Sequence, residues 1–104
     1  KNNAESLAHM GNLYYKAMQS CRGDAFSRSD KIIASLAYEY FVKAEQKGNS
    51  KYYKQKSWLE ENEVLFAYAD WFMTDKEVQA TGKVSPVGRC YDWVSESLAK
   101  QSDW

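Results

Sequence analysis

The chain has little of what most functional signatures require. One histidine, two cysteines, one proline and five glycines are spread over 104 residues. A zinc site needs three or four ligands. His9 has no second histidine and no thiol at ligand spacing, so it reads as a packing or surface residue and no metal is expected. No P-loop, glycine-rich dinucleotide turn or nucleophile elbow occurs, and no other cofactor is implied. Neither sign of charge dominates, with Lys+Arg 14 against Asp+Glu 14 and a formal net charge of +0. That balance argues against nucleic acid as a partner and against a polybasic membrane patch. The longest apolar stretch, residues 64–73, is broken by Asp70 and is too short to span a bilayer, so membrane insertion is not expected. There is no N-glycosylation sequon and no repeat at the period of a helical solenoid. With so little proline and glycine, there is little material for linkers.

What is present is a core. Hydrophobic residues make up 44% and aromatics 15% of the chain, which suits a single packed domain over residues 1–104. Leu7, Met10, Tyr14, Ala17, Met18 and Cys21 recur at spacings of three and four and predict a first helix over about residues 4–20. Gly11 within it suits close approach of a neighbour. Ile33, Leu36, Ala37, Tyr40, Phe41 and Ala44 predict a second helix that starts between residues 24 and 30, with Ser29 or Asp30 as N-cap. It ends near Lys47, and Gly48 follows as the turn residue. A third helix is expected over about residues 51–74. Nine of the ten residues 64–73 are apolar or aromatic, a density that implies deep burial or a partner subunit. Ser85-Pro86 reads as the start of a fourth helix whose stripe is Val87, Cys90, Tyr91, Val94 and Leu98. The expected fold is therefore all-α, a four-helix bundle-like single domain.

In an up-down-up-down bundle, the end of the first helix and the start of the fourth share a pole, which would bring Cys21 and Cys90 together. A disulfide there implies an oxidising compartment, whereas two unrelated buried thiols would not. The bridge would close a loop of about 70 residues and contribute roughly 4.4 kcal/mol at the upper end of the chain-entropy relation. Lys1 in place of a methionine fits removal of a secretory signal, or a chain trimmed at its start.

Three further patterns have bland explanations. Glu60 and Glu63 lie one helical turn apart, like the paired carboxylates of a glycosidase. With Lys56 four residues before Glu60, they read more simply as a solvated helix face. Arg22-Gly23-Asp24 matches an adhesive tripeptide and equally serves as a helix-ending turn. Four tryptophans and eight tyrosines exceed the needs of a small core, and aromatics are enriched in protein interfaces.

Two stretches carry a family resemblance: Tyr14-Tyr15-Lys16-Ala17-Met18-Gln19-Ser20-Cys21 and Gly88-Arg89-Cys90-Tyr91-Asp92-Trp93. Their placement, with the helix order, resembles the small helical periplasmic immunity proteins of bacterial type VI secretion systems, which neutralise peptidoglycan-cleaving effectors. The resemblance implies a disulfide between a cysteine near the end of the first long helix and one before the last. It also implies a periplasmic, non-enzymatic inhibitor with a cell-wall hydrolase as partner, and a homodimer. Such inhibitors push a loop or helix end into the effector's cleft. The segment suited to that task is 75–84, with Lys76 and Lys83 to meet acidic groups, Gln79 to hydrogen-bond, and Glu77 beside them. Trp58, Phe66 and Trp71 of the third helix are the expected dimer interface. Three rivals remain: a structural or chaperone-like subunit of an envelope complex, binding through Trp71; an enzyme using Glu60 or Glu63; and a small-ligand binder with an aromatic pocket.

Overall fold

The computed structural model describes residues 3–102 and 104. Two long helices come first, α1 (Asn3–Cys21) and α2 (Arg28–Gln46). Then follow α3 (Tyr53–Glu61), α4 (Tyr68–Phe72), α5 (Lys76–Gln79), β1 (Lys83–Val84), a 3-10 turn at Arg89–Tyr91 and β2 (Leu98–Ala99).

The hairpin of α1 and α2 is the framework. Ser27, two positions before the nearer of the two expected caps, is the N-cap of α2. Its hydroxyl accepts from the Asp30 N–H at 3.1 Å, and the Asp30 carboxylate accepts from the Ser27 N–H at 2.9 Å. This reciprocal box satisfies two of the donors a helix start leaves open. At the other end, Gly48 takes a left-handed φ of 94°. Its N–H reaches the Glu45 carbonyl at 2.9 Å, and the Asn49 N–H reaches that of Ala44 at 2.8 Å, the paired bonds that close a helix on glycine. Between the helices, Gly11 makes the close approach possible. A Cβ there would stand 2.7 Å from the Phe41 ring and 3.1 Å from the Ala37 carbonyl oxygen.

Helix α3 returns along the hairpin in the direction of α1. Tyr52 lies beside His9, and Trp58 meets Tyr15 edge-on, with ring centroids 6.3 and 6.0 Å apart. The core gathers Tyr14, Met18, Ile32, Ile33, Leu36 and Phe41 from the hairpin with Leu59 of α3. Val64, Phe66, Trp71, Val84, Tyr91 and Leu98 join it from the second half of the chain.

Two expectations are corrected. The third helix does not run to residue 74 but stops at Glu61, and Glu63 sits at a φ of 52°. Beyond it, Val64 and Phe66 are buried while Leu65 and Ala67 are not, the alternation of extended backbone rather than of a helix. The Phe66 N–H donates to the buried Ser35 hydroxyl at 2.8 Å, which holds the strand-like segment against α2. Apolar density without a stripe does not make one continuous helix: within residues 64–73 only Tyr68–Phe72 is helical.

The fourth long helix is also replaced. The Val87 N–H donates to the Ser29 hydroxyl at 2.9 Å, and Gly88 turns at a φ of 105°, so the chain breaks away after Pro86. Only the short turn at Arg89–Tyr91 is helical, and the chain then extends into β2. Strand β2 pairs antiparallel with β1, Lys83 opposite Ala99 and Val84 opposite Leu98. Among the described residues the fold is thus mostly helical with a two-residue ladder: five α-helices, the last two only five and four residues long, rather than four long ones. The disulfide does form between Cys21 and Cys90, with Cα atoms 6.1 Å apart at a sequence separation of 69. Among the described residues, no helix is long and apolar enough to cross a membrane.

Candidate functional site

The clearest surface feature is an apolar ridge on α4 and the residues after it. Tyr68, Phe72 and Met73 are 55%, 66% and 73% exposed. Tyr68 and Phe72 stack with centroids 6.0 Å apart, as expected for residues four apart on one helix face. Val78 of α5 adds a smaller exposed apolar group. Isolated exposed hydrophobics are ordinary; here two of them stack on each other and Met73 follows them directly in sequence.

A five-residue helix would not hold this ridge by itself. Directional contacts beneath it do so. Trp71 points inward and packs against Trp104, ring centroids 5.3 Å apart. The Asp70 carboxylate accepts from the Ala67 N–H at 2.9 Å and from the Lys31 ammonium at 3.1 Å. Its carbonyl accepts from the Arg28 guanidinium at 3.1 Å and the Thr74 hydroxyl at 2.9 Å. The Gln79 amide donates to the carbonyls of Trp71 at 2.8 Å and Thr74 at 3.1 Å, tying α5 to the end of α4. The ridge is therefore pre-organised, which lowers the entropy lost when such a surface binds.

The residues expected to face a partner are divided by the structure. Lys76, Glu77 and Lys83 are exposed, the first two on α5 beside the ridge and Lys83 on β1. The Gln79 amide nitrogen is spent on the internal bonds just described, and the half-buried side chain braces α5 against the end of α4. The expected dimer face is internal. Phe66 and Trp71 are 4% and 7% exposed within the single chain. Half-buried Trp58 packs on Tyr15 and Phe26, and the Arg22 guanidinium lies 5.5 Å from its ring centroid. The aromatic-rich stretch seals this chain's own core, so the apolar density that suggested a second subunit has an intramolecular use. Sequence reasoning missed Tyr68, Phe72 and Met73 because they were merged into that uniform stretch. Once α4 is known to be short, Trp71 faces inward while the pair four apart, Tyr68 and Phe72, faces out.

The other candidates resolve into structural pairs. Glu60 accepts from the Tyr38 hydroxyl at 2.6 Å and lies 3.5 Å from the Lys56 ammonium. The tyrosine hydrogen bond, then the lysine charge, hold its carboxyl below the usual range. Burial lowers the Lys56 ammonium, but the charges of Glu45 and Glu60 outweigh that and raise it. A carboxylate with a lowered pKa is poorly suited to general-acid work near neutral pH. Glu63 lies past the helix end in a left-handed conformation and is not part of this pairing. The Arg22 of the Arg-Gly-Asp turn stacks over Phe26 at 4.8 Å and bonds to Gln19, so its side chain is engaged within the protein. His9 lies 3.6 Å from Glu5 and 3.4 Å from the Tyr52 hydroxyl. Among the described residues, no group of three or more His, Cys, Asp or Glu is placed to hold a metal ion.

Beside the disulfide lies a buried polar link. The Tyr91 hydroxyl donates to the Asp30 carboxylate at 2.6 Å, and burial, then Asp30, push the phenol pKa well up. It ties the 3-10 turn to the first turn of α2, so the bridge and the hydrogen bond hold the same corner.

Together these features define a small, mostly helical, disulfide-linked domain that displays a fixed apolar ridge. No protein-family model, curated protein or solved structure matches the chain.

Proposed function

We propose that the protein is a non-enzymatic inhibitor that binds a cell-wall-degrading enzyme in the periplasm and occludes its cleft, in the manner of a type VI secretion immunity protein. The observation that carries this reading is the ridge of Tyr68, Phe72 and Met73, presented beside the exposed charges Lys76 and Glu77. Aromatic anchors with a polar rim are the usual composition of a protein-binding surface. The disulfide supports the compartment, since such bridges persist where the environment is oxidising. The sequence resemblance supplies the partner class. The inhibitory surface is shifted from the segment 75–84 alone to the ridge with α5, because Gln79 is engaged internally. Lysines 76 and 83 then steer encounter and set register more than they raise affinity.

The test is clearance of purified peptidoglycan by the wall hydrolases of the encoding bacterium, with and without the oxidised protein. Stoichiometric slowing of one hydrolase is expected. Lys76→Glu combined with Lys83→Glu is expected to weaken that inhibition with an unchanged melting temperature. Clearance unaffected by excess protein for every hydrolase would remove the inhibitor reading. The ridge would equally serve a structural or chaperone-like envelope subunit, which would bind its partner without slowing any hydrolase. That alternative cannot use Trp71 as its contact, since the side chain is buried.

A further inference from the structure

A concave feature lies elsewhere on the surface, independent of the ridge. A groove of about 480 Å³ runs along α2 between the extended segment before α4 and the end of the chain. Its size lies within the span of about 300–1,000 Å³ typical of small-molecule sites. Val42, Leu65, Phe66, Leu98 and Trp104 supply an apolar floor and one aromatic wall. Phe66 and Trp104 lie against each other with centroids 5.2 Å apart. Both signs of charge stand along the α2 wall. Glu39 and Lys43 are four residues apart, so their Cβ atoms are about 5–6 Å from each other on one helix face. Each is only partly engaged. One Glu39 oxygen accepts from the Gln101 amide at 3.0 Å, and the Lys43 ammonium leans over the Tyr40 ring at 5.7 Å.

We infer that this groove binds a short apolar peptide through its free ammonium and carboxylate, Glu39 meeting the first, Lys43 the second, and the floor taking the side chains. One or two extended residues span at most about 3.5–7 Å. The charged ends of a dipeptide are therefore within reach of two long, oppositely charged side chains whose Cβ atoms lie one helical turn apart. A purely apolar ligand would leave both charges unused, and an ion of one sign would face a like charge beside its partner. The zwitterion satisfies both.

The test is calorimetric titration of the intact oxidised protein with L-leucyl-L-leucine, with diglycine and with N-acetyl-leucyl-leucine amide. Saturable binding of the free dileucine is expected, with a change in tryptophan fluorescence that Trp104→Phe largely removes. Diglycine and the blocked peptide are each expected to bind at least about tenfold more weakly. Glu39→Gln and Lys43→Glu, both away from the core, are expected to weaken dileucine at least about fivefold with an unchanged melting temperature. No saturable binding of dileucine at millimolar concentration overturns the inference. Equal affinity for the free and blocked peptides, or unchanged affinity in both variants, does the same.

Discussion

Residues 3–61 and the described residues from 62 onward are held together by different means. In the first, the helices interlock through apolar stripes, and the hairpin closes tightly because Gly11 lets Phe41 approach. In the second, among the described residues, helices are four or five residues long and the ladder has two residues per strand. That half contributes some core side chains, but its backbone is fixed by point links. These are the disulfide at Cys90, Tyr91 on Asp30, Val87 on Ser29, Phe66 on Ser35, and Asp70 on Lys31 and Arg28. Nearly all of them land on α2. A region anchored by a few directional links can turn apolar groups outward, because its position does not depend on burying every one of them. The molecule displays Tyr68, Phe72 and Met73 in that half.

The largest effect should come from breaking the framework. Ile33 is fully buried in α2. Ile33→Ala is expected to cost about 2–5 kcal/mol and to unfold both halves in one transition, since the links of the second half end on this helix. Denaturant melts followed by far-ultraviolet circular dichroism and by tryptophan fluorescence should shift together. Next comes the bridge. Cys21→Ser with Cys90→Ser removes a loop constraint worth up to roughly 4.4 kcal/mol. Amide exchange is expected to quicken first over residues 88–94, with the α1–α2 hairpin still protected. Uniform acceleration would erase the distinction between the halves.

Smaller again is Tyr91→Phe. It leaves one oxygen of the buried Asp30 carboxylate without its donor, at an expected cost of about 1.5–3 kcal/mol. Thermal melts measure it, and a loss under half a kcal/mol would mean that the corner relaxes around the carboxylate. Alkaline pH probes the seam between the halves. Burial, then Glu96, raise the phenols of Tyr14 and Tyr40 to about 12 from an ordinary 10.0. The Tyr40 hydroxyl donates to Glu96 at 2.7 Å across that seam. A folded-state pKa raised above the unfolded one means that the unfolded chain gives up its protons first. The contribution is therefore complete below about pH 10 and is lost as pH rises through about 12. Denaturation midpoints should fall over that window, and Glu96→Gln should reduce the slope.

Much of the framework was legible in the sequence because helical stripes repeat. Tyr14, Met18, Ile33 and Phe41 stood at the spacings that the structure buries, and Gly48 ended α2 as expected. The cysteine pair was also legible, although not for the reason supposed. Cys90 sits in a 3-10 turn rather than in the first turn of a long helix. What failed were segments governed by distant partners. Nothing local announces that Ser35 will capture the Phe66 N–H, or that Ser29 will capture that of Val87. Those two bonds convert expected helices into extended chain. The same error hid the ridge. With residues 64–73 read as one apolar helix, Phe66 and Trp71 looked outward-facing and Phe72 was indistinguishable from them. Lys76, Glu77 and Lys83 are exposed, while the Gln79 amide nitrogen donates to two carbonyls that local sequence does not announce.

The most direct measurement compares inhibition by the wild type and by Phe72→Ala with Met73→Ala, in the peptidoglycan-clearing assay, on proteins whose melting temperatures are also recorded. Both side chains are exposed, so stability should change by no more than about half a kcal/mol per site. The wild type is expected to slow its hydrolase, and the double variant to lose at least about tenfold in potency with an intact fold. A double variant as potent as the wild type would contradict the assignment of the ridge as the binding surface.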